Sequence, residues 1–185
     1  MNVPTTIDQR FREAAAASGM LDASYDVTDS PIGELLVAAT DAGVCCISFT
    51  PDTALDWLAR RTGAKILRVP RRLDAVRREL DEYFEGRRRE FDLPLDVEPL
   101  PSFNRLVLDE LARVPYGELT TYGTLAKRIG HPDAARAVGG ALNKNPVPII
   151  LPCHRVVGAS GKLTGYAGGL DRKQALLTLE GAALF

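Results

Sequence analysis

The chain has 185 residues, 45% of them hydrophobic and 25% charged, which is the composition of a globular protein with room for one sizeable domain or two small ones. No apolar run reaches about 18 residues and the first 20 residues carry charges of both signs, so we expect neither a membrane span nor a secretory signal. Three cysteines, two of them adjacent, and two histidines favour a reducing cytoplasm and argue against a structural zinc site.

The net charge of -1 hides an asymmetry along the chain. Residues 101–185 carry a net charge of +4, whereas the first 100 residues carry -5. A basic C-terminal half fits a polyanionic partner. An ordinary solvated surface explains the same balance unless a motif supports the partner.

Short β-branched runs separated by turn residues predict an antiparallel meander in the N-terminal half, with helices beside it. The predicted strands are 24–28, 34–39, 43–49 and 64–69, and the predicted helices are 6–18, 52–62 and 71–84. Cys45 and Cys46 lie in the third strand, where we expect at least one to be a small core residue. The last of these helices carries its apolar residues at helical spacing, namely Leu73, Val76, Leu80 and Phe84.

The Pro-rich stretch 93–101 indicates a boundary, and we place one domain at 1–97 and a second at 98–185. The next predicted helix presents one apolar face, formed by Phe103, Leu106, Val107, Leu111 and Val114. Beyond Pro115, Thr120 or Thr121 caps a helix that runs to about Ile129.

Pro132 fits an early position in a further helix that runs to about Leu142, so the two short helices form a helix-turn-helix candidate. The second helix is almost bare, because the segment 134–141 contains one long side chain, Arg136. Its two interior glycines cost about 1 kcal/mol each relative to alanine. Such a cost indicates close approach by another surface, and a neighbouring helix and a nucleic-acid groove explain it equally well.

The segment 149–157 places a cysteine beside one of the two histidines, between apolar runs. A free cysteine titrates at about 8.5, so its thiol needs a base or a positive neighbour to become a nucleophile at neutral pH. Cys153, His154 and Arg155 supply a reactive atom and two activators. Taken alone, these residues fit a hydrolase, a redox thiol or a metal ligand.

Asp171 is predicted to cap a last helix, whose apolar face carries Ala175, Leu176 and Leu179. Glu180 falls in the final turn of that helix, where the helix dipole disfavours an anion by a few tenths of a kcal/mol. An acidic residue at this unfavourable position indicates that Glu180 has a specific partner.

The C-terminal half carries a series of motifs in fixed order: VPYG at 114–117, TYG at 121–123, AARAVGGAL at 134–142, NPVPIILPCHRVVGASGKLTGYAGGLDRK at 145–173 and LEGA at 179–182. Together they resemble the O6-alkylguanine-DNA alkyltransferase family of self-sacrificing repair proteins. The resemblance covers about residues 101–182 nearly without gaps.

The resemblance implies a catalytic role for five residues. Cys153 would attack the alkyl carbon by in-line displacement and keep it as a thioether. His154, through a water, and Glu180 would draw the proton from the thiol. Asn145 would tie the helix-turn-helix to the active-site segment, and Tyr122 would offer its hydroxyl to N3 of the flipped guanine as negative charge develops there.

The resemblance also implies a base pocket and a DNA surface. The backbone around Val156 and the amide of Ala167 would read the base edge, beside Tyr166 and Pro148. Arg136 would fill the gap left in the base stack, while its bare helix enters the minor groove. The remaining DNA contacts would come from Thr121, Ala135, Gly139, Asn143 and Lys144, with Lys127, Arg128 and Arg155 as further candidates for phosphate contacts. A structural role is the alternative for Arg155.

We therefore expect an α/β (α+β) protein with a small antiparallel sheet flanked by helices in the N-terminal domain, and a mostly helical C-terminal domain. The implied function is direct-reversal repair of O6-alkylguanine, and of O4-alkylthymine, in flipped-out bases of double-stranded DNA. We expect a monomer at the nucleoid or elsewhere in the cytoplasm, without cofactor or metal. The alternatives are a lesion-binding module without chemistry, which Cys153 argues against, and a cysteine hydrolase, which turns over repeatedly.

Overall fold

The computed structural model describes residues 10, 12–15, 18–63 and 65–183, which divide into two compact units. The first unit comprises Met1–Glu82 and Asp92–Val97, and the second comprises Tyr83–Phe91 and Glu98–Phe185. Residues 12–15 are helical, whereas the predicted start of that helix at Thr6 lies outside the described residues. None of the helices in the described ranges combines the length and the apolar character that crossing a membrane requires.

The first unit is built on a four-stranded sheet in the order β3-β2-β1-β4. Its strands are β1 (Ala23–Thr28), β2 (Leu35–Thr40), β3 (Gly43–Ser48) and β4 (Ile66–Arg68). The first three form the predicted antiparallel meander, while β4 pairs with β1 in parallel, a pairing that the strand pattern alone did not indicate.

The core of this unit contains both adjacent cysteines, as expected for at least one of them. Cys45 and Cys46 pack with Leu36 and with Leu58 of the helix α1 (Pro51–Thr62). Burial raises the pKa of Cys45 to about 11 and that of Cys46 to about 12. Both residues are therefore protonated core thiols near neutral pH.

The helix α2 (Asp74–Phe84) follows a 3-10 turn at Pro70–Leu73. Leu73, Val76 and Leu80 are buried as predicted. The prediction for Phe84 is wrong, because Phe84 is half-buried and the fully buried residue of the last turn is Tyr83. Helical spacing from Leu80 reaches both positions, and the phenol of Tyr83 occupies the interior one.

The second unit is mostly helical, in agreement with the prediction. Its elements are α3 (Ser102–Leu111), β5 (Thr120–Thr121), α4 (Tyr122–Arg128), α5 (Ala135–Leu142), β6 (Val156–Val157) and α6 (Leu170–Leu179). The short strands β5 and β6 pair in parallel. In α3 the expected burial of Val107 and Leu111 is confirmed, but Leu106 is 46% exposed and Leu108 is buried instead.

The helices α4 and α5 form the predicted helix-turn-helix and pack against each other, and α5 also packs against α3. Thr121 caps α4, because its Oγ1 accepts a hydrogen bond from the backbone N–H of Thr124 at 3.0 Å. After α4, Gly130 adopts a φ of 79°, which favours glycine. Pro132 is not part of α5, since Ala134 N–H closes a turn onto the carbonyl of His131 and the helix begins afterwards.

The helix α6 presents a different face from the predicted one. Gly169, not Asp171, occupies the capping position, and Asp171 lies in the first turn. Leu176 is buried as expected, but Ala175 is exposed. Lys173 and Leu177 complete the buried face, and the burial of a lysine has a cause in the active site described below.

Candidate active site

Cys153 begins a tight 3-10 turn, Cys153–Arg155, that leads into β6. The approach to this turn is constrained, because Cys153 N–H donates to the carbonyl of Leu151 at 2.9 Å. Ile149 is fully buried and has a φ of 78°, a conformation that a β-branched residue adopts at a cost of order 1–3 kcal/mol. A strained, buried residue four positions before the cysteine indicates that the surrounding structure determines the path of this segment.

Asn145 holds the cysteine segment directly. Its side-chain N–H donates to the carbonyl of Leu151 at 2.8 Å and to Cys153 Sγ at 3.3 Å. Its carbonyl oxygen accepts from the backbone N–H of Val147 at 3.1 Å. The residue predicted as a hinge between the helix-turn-helix and the active-site segment thus also touches the thiol.

Cys153 opens onto a cavity of about 480 Å³ between α5 and the loop that follows β6. The cavity is lined by Tyr122, Ala135, Arg136, Gly139, Gly140, Leu142, Asn143, Cys153, Thr164, Gly165, Tyr166 and Ala167. The structure therefore brings the cysteine, three of the predicted pocket residues and the bare face of α5 to one space.

Other residues predicted for the pocket and the DNA surface lie elsewhere. Pro148 and Val156 are buried and do not belong to the described lining of the cavity. Thr121 uses its hydroxyl to cap α4. Lys144 is exposed just beyond α5. The backbone of Val156 is engaged too, since its carbonyl accepts a hydrogen bond from Lys173 at 2.6 Å.

The thiol of Cys153 is neutral at rest. Burial raises its pKa, against the opposing effects of the hydrogen bond from Asn145 and the positive charge of Lys173. A neutral thiol is a weak nucleophile, so reaction at neutral pH requires that a base remove its proton.

His154 is the adjacent base and is fully buried. Its Nε2 lies 2.9 Å from Glu180 Oε1. Because an ionised carboxylate can only accept, Nε2 carries the proton and Nδ1 is the basic nitrogen. Nδ1 is buried and has no hydrogen-bond partner within the described chain. Burial lowers the pKa of His154 although Glu180 acts in the opposite direction, so the imidazole is neutral and able to accept a proton.

Glu180, the displaced acid at the end of α6, is held by several donors. Arg155 Nε donates to Oε2 and Arg155 Nη2 to Oε1, both at 2.9 Å. The backbone N–H of Gly117 and the hydroxyl of Tyr83 add further hydrogen bonds. Burial alone raises the pKa of Glu180, but the hydrogen bonds from His154 and Arg155 outweigh it and lower that pKa to about 2.

Arg155 is a structural residue rather than a phosphate contact. It is 6% exposed, and besides Glu180 it donates to the carbonyl of Val114 at 2.6 Å. Of the two roles that the sequence left open for Arg155, the structure supports the structural one, because its guanidinium is engaged by Glu180 and Val114 inside the protein.

Lys173 is a site residue that the sequence did not reveal. Its buried ammonium donates to the carbonyls of Val156 at 2.6 Å and Thr164 at 3.0 Å, which joins β6 to the cavity loop. Burial lowers the pKa of Lys173 to about 8. A lysine in the first turn of a helix looks like a surface residue, and only its three-dimensional partners explain its burial.

Tyr122 is oriented by the same loop. The hydroxyl of Thr164 donates to the phenol oxygen of Tyr122 at 3.0 Å, so the proton of Tyr122 remains available to a molecule in the cavity. The ring of Tyr122 lies beside Gly139, where an added Cβ would be 3.6 Å from Tyr122 Cε1.

The bare helix α5 is not explained by internal crowding. A Cβ at Gly139 would make ordinary van der Waals contact, and a Cβ at Gly140 would meet nothing within 4 Å. Arg136 is exposed at the cavity rim and, over the ranges that the structure describes, has no ion-pair partner. In the same ranges no cluster of His, Cys, Asp or Glu could hold a metal ion.

The helix-turn-helix lies beside a buried cysteine and a His–Glu pair, so the chain is a helix-turn-helix protein with a cysteine site. Comparison with known proteins identifies its family. The family model described as "6-O-methylguanine DNA methyltransferase, DNA binding domain" matches residues 102–182, and the "ribonuclease-like domain" of the same enzyme matches 23–97. The chain belongs to the 6-O-methylguanine DNA methyltransferase family, which confirms the resemblance seen in its motifs.

Individual relatives match over nearly their whole length. A methylated-DNA--protein-cysteine methyltransferase of Methanosarcina acetivorans is 43% identical, covering 85% of this chain and 98% of the relative. One of Mycolicibacterium paratuberculosis is 47% identical, covering 84% and 91%. The crystal structure of Mycobacterium tuberculosis OGT in complex with DNA has a TM-score of 0.76 at 42% identity, covering 85% of this chain and 92% of that one.

The buried His154–Glu180 pair predicts acid sensitivity. His154 has a lowered pKa and stays neutral in the folded state, so stability falls as the pH drops below about 6.5, where the unfolded chain takes up a proton. The stabilisation from ionised Glu180, about 3 kcal/mol, is fully present above about pH 4.5 and is lost as the pH falls toward about 2.

Denaturant titrations at a series of pH values measure this effect. Glu180→Gln should lower the free energy of unfolding at pH 7 by about 3–5 kcal/mol, because it leaves Arg155 buried without its counter-ion, and should flatten the dependence below pH 4.5. Glu118→Gln changes an exposed carboxylate of the same unit and should have an effect within about 0.5 kcal/mol. Equal pH profiles of stability for both variants would refute the assignment of the acid sensitivity to Glu180.

Proposed function

We propose that the chain is a methylated-DNA–protein-cysteine S-methyltransferase that moves the alkyl group of O6-alkylguanine in DNA, and of O4-alkylthymine, onto Cys153. The observation that carries this proposal is the shared cavity, in which the cysteine faces the helix-turn-helix. Membership of the 6-O-methylguanine DNA methyltransferase family and relatives named for the same activity support it.

The proposed reaction begins with removal of the thiol proton. His154 Nδ1 accepts it through a bridging water, and Glu180 stabilises the imidazolium that results. The thiolate then attacks the alkyl carbon from the side opposite O6, so that an S–C bond forms while the C–O6 bond breaks and its electron pair stays on the guanine.

The leaving guanine is stabilised by Tyr122. The hydroxyl of Thr164 occupies the phenol oxygen as a donor, so the Tyr122 proton points to N3 of the base and meets the charge that develops on the ring. Tyr166 and Ala167 line the same cavity and supply its wall. Guanine leaves as a neutral base after it takes up one proton, which balances the thiol proton that His154 accepted and returns His154 to its neutral form.

The product is a thioether, which water does not cleave at neutral pH. We therefore propose that each chain reacts once and is then spent. We propose that the protein acts as a monomer. Genomic DNA as substrate implies action in the cytoplasm, at the nucleoid in a prokaryote.

The proposed DNA mode follows from the position of the alkyl carbon, which lies inside a duplex. The nucleotide must be extruded at a cost of a few kcal/mol, and we propose that Arg136, which lines the cavity, fills the gap. Gly139 and Gly140 leave the helix thin enough to enter the minor groove. Exposed Lys127, Arg128 and Lys144 supply phosphate contacts beside Ala135 and Asn143.

Intact-mass spectrometry after mixing with DNA that contains O6-methylguanine tests the reaction. We expect a gain of one CH2 group on Cys153, saturating at one adduct per protein, and the same adduct from O4-methylthymine. Cys153→Ser should give no adduct while still binding the DNA. No adduct on the native protein would leave the non-catalytic lesion binder, and continued turnover in excess substrate would overturn the single-use mechanism.

Arg136→Ala tests the gap-filling role. The variant should repair O6-methylguanine in duplex DNA at least tenfold more slowly, because it loses stabilisation of the extruded nucleotide. A tenfold change in rate corresponds to about 1.4 kcal/mol. Its reaction with free O6-benzylguanine should be unchanged. Arg113→Ala removes an equal charge from a guanidinium that is 74% exposed and should affect neither rate. Equal losses on both substrates for Arg136→Ala would refute the role.

Gly140 tests the close approach of α5 to DNA. Gly140→Ala should raise the free energy of unfolding by about 1 kcal/mol, because alanine favours helix and the added Cβ meets nothing. Gly140→Leu should weaken duplex binding at least tenfold in a fluorescence-anisotropy titration. Ala175→Leu adds a comparable side chain at an exposed position of α6 and should leave binding unchanged. Native affinity in Gly140→Leu would contradict minor-groove entry by this face.

A further inference from the structure

Tyr83 lies in the last turn of α2, and none of the sequence motifs connects it with Cys153. Its side chain is fully buried, and its hydroxyl donates to Glu180 Oε1 at 2.7 Å. We infer that Tyr83 is a positioning residue of the alkyl-transfer site, which holds the Glu180 oxygen that also meets His154. This inference rests on the proposed function, because it assigns Tyr83 to the base that activates Cys153.

The geometry makes the phenol of Tyr83 one of several donors that compete for the same carboxylate oxygen of Glu180. Oε1 of Glu180 receives three donors: the hydroxyl of Tyr83, Nε2 of His154 and Nη2 of Arg155. A carboxylate oxygen has about two lone pairs, so three donors share its charge. The hydrogen bond from Tyr83 therefore limits how strongly the same oxygen attracts the imidazole proton.

Aromatic packing holds the phenol in place. The ring of Tyr83 contacts Phe84 and Phe91 with centroid separations of 5.4 Å, and it contacts Tyr116 at 6.1 Å with the rings at 81°. Edge-to-face contacts of this kind restrict rotation of a buried ring. The packing of the ring thus positions the phenol oxygen, and Glu180 Oε1 accepts its hydrogen bond.

The surrounding charges make Tyr83 a permanent donor. The groups that face the His154–Glu180 pair are Tyr83 from α2, Tyr116 from the loop after α3, Tyr166 from the cavity loop, Lys173 from α6, and Arg155 and Cys153 from the active-site turn. Arg89 lies over the ring of Tyr116. Burial and the nearby Glu180 carboxylate raise the pKa of Tyr83, so it stays protonated over the range in which His154 titrates.

Removal of this donor should make His154 more basic. In Tyr83→Phe, Oε1 has one donor fewer and binds the Nε2 proton of His154 more strongly, which stabilises the imidazolium. We expect the titration midpoint of His154 to rise by about one pH unit. The acid limb of the rate of Cys153 alkylation by free O6-benzylguanine should move upward by the same amount.

Nuclear magnetic resonance of the unreacted protein measures this directly, because the chain contains two histidines. His131 is exposed and serves as the internal reference. In Tyr83→Phe the Nε2 proton of His154 should move downfield while the His131 resonances stay in place. These signals require no alkyl transfer, so they remain readable even where no adduct forms on Cys153.

Tyr116→Phe is the matched control. It removes a hydroxyl from the same aromatic cluster, but that hydroxyl donates to the carbonyl of Leu179 at 3.1 Å, not to Glu180. We expect the His154 titration to stay unchanged. A general loosening of the cluster would instead move His154 in both variants and would overturn the inference.

A difluorotyrosine incorporated at position 83 provides a test that keeps the shape of the side chain. The more acidic phenol is a stronger donor, so the Nε2 proton of His154 should move upfield, opposite to its movement in Tyr83→Phe. An unchanged His154 resonance in both proteins would refute the role of Tyr83. If the His154 resonance moves as expected in both proteins but no adduct forms on Cys153, the proposed function is refuted while the role of Tyr83 in positioning Glu180 stands.

Discussion

The second unit depends on the ionised carboxylate of Glu180. An ion of this kind is expensive to bury unless donors surround it, and here Arg155, His154, Tyr83 and the backbone of Gly117 all do so. These donors come from three separate stretches of the chain, and Glu180 itself belongs to a fourth. The carboxylate therefore joins the end of α6, the turn before α4, the active-site turn and the end of α2 at one point.

This arrangement explains several features that are costly when considered alone. An acid at a helix C-terminus is disfavoured by the helix dipole, and a fully buried arginine or histidine is disfavoured by desolvation. Together these groups satisfy one another's hydrogen-bonding capacity, because the carboxylate of Glu180 accepts the hydrogen bonds that Arg155 and His154 donate. The histidine is thereby held as a neutral base with its free nitrogen pointing away from the acid.

Lys173 has a corresponding role in the loop that lines the cavity. Its ammonium joins β6 to the loop that carries Thr164, and Thr164 orients Tyr122. The cavity wall is thus held by a buried cation through two backbone carbonyls, while the base behind the cysteine is held by a buried anion. Cys153 adjoins His154 in the chain, and its thiol also experiences the positive charge of Lys173.

The local elements could largely be predicted, since the meander, α1 and the cap at Thr121 follow from turn residues, spacing and capping chemistry. Motif resemblance identified Cys153, His154 and Glu180 as a group. Tyr83, Lys173 and the role of Arg155 could not be predicted in this way, because each depends on a partner 17 to 97 positions away in the chain. The assignments of Phe84, Leu106 and Ala175 were wrong for a related reason, since helical spacing leaves two neighbouring positions open and tertiary packing chooses between them.

The protonated state of Cys153 has a consequence for the supply of active protein. Oxidants and small electrophiles consume thiolates much faster than thiols. Burial keeps the sulfur of Cys153 in the thiol form, so the resting protein should react slowly with hydrogen peroxide and with stray alkylating compounds. Under the proposed single-use reaction, this protection would preserve the number of chains able to accept an alkyl group.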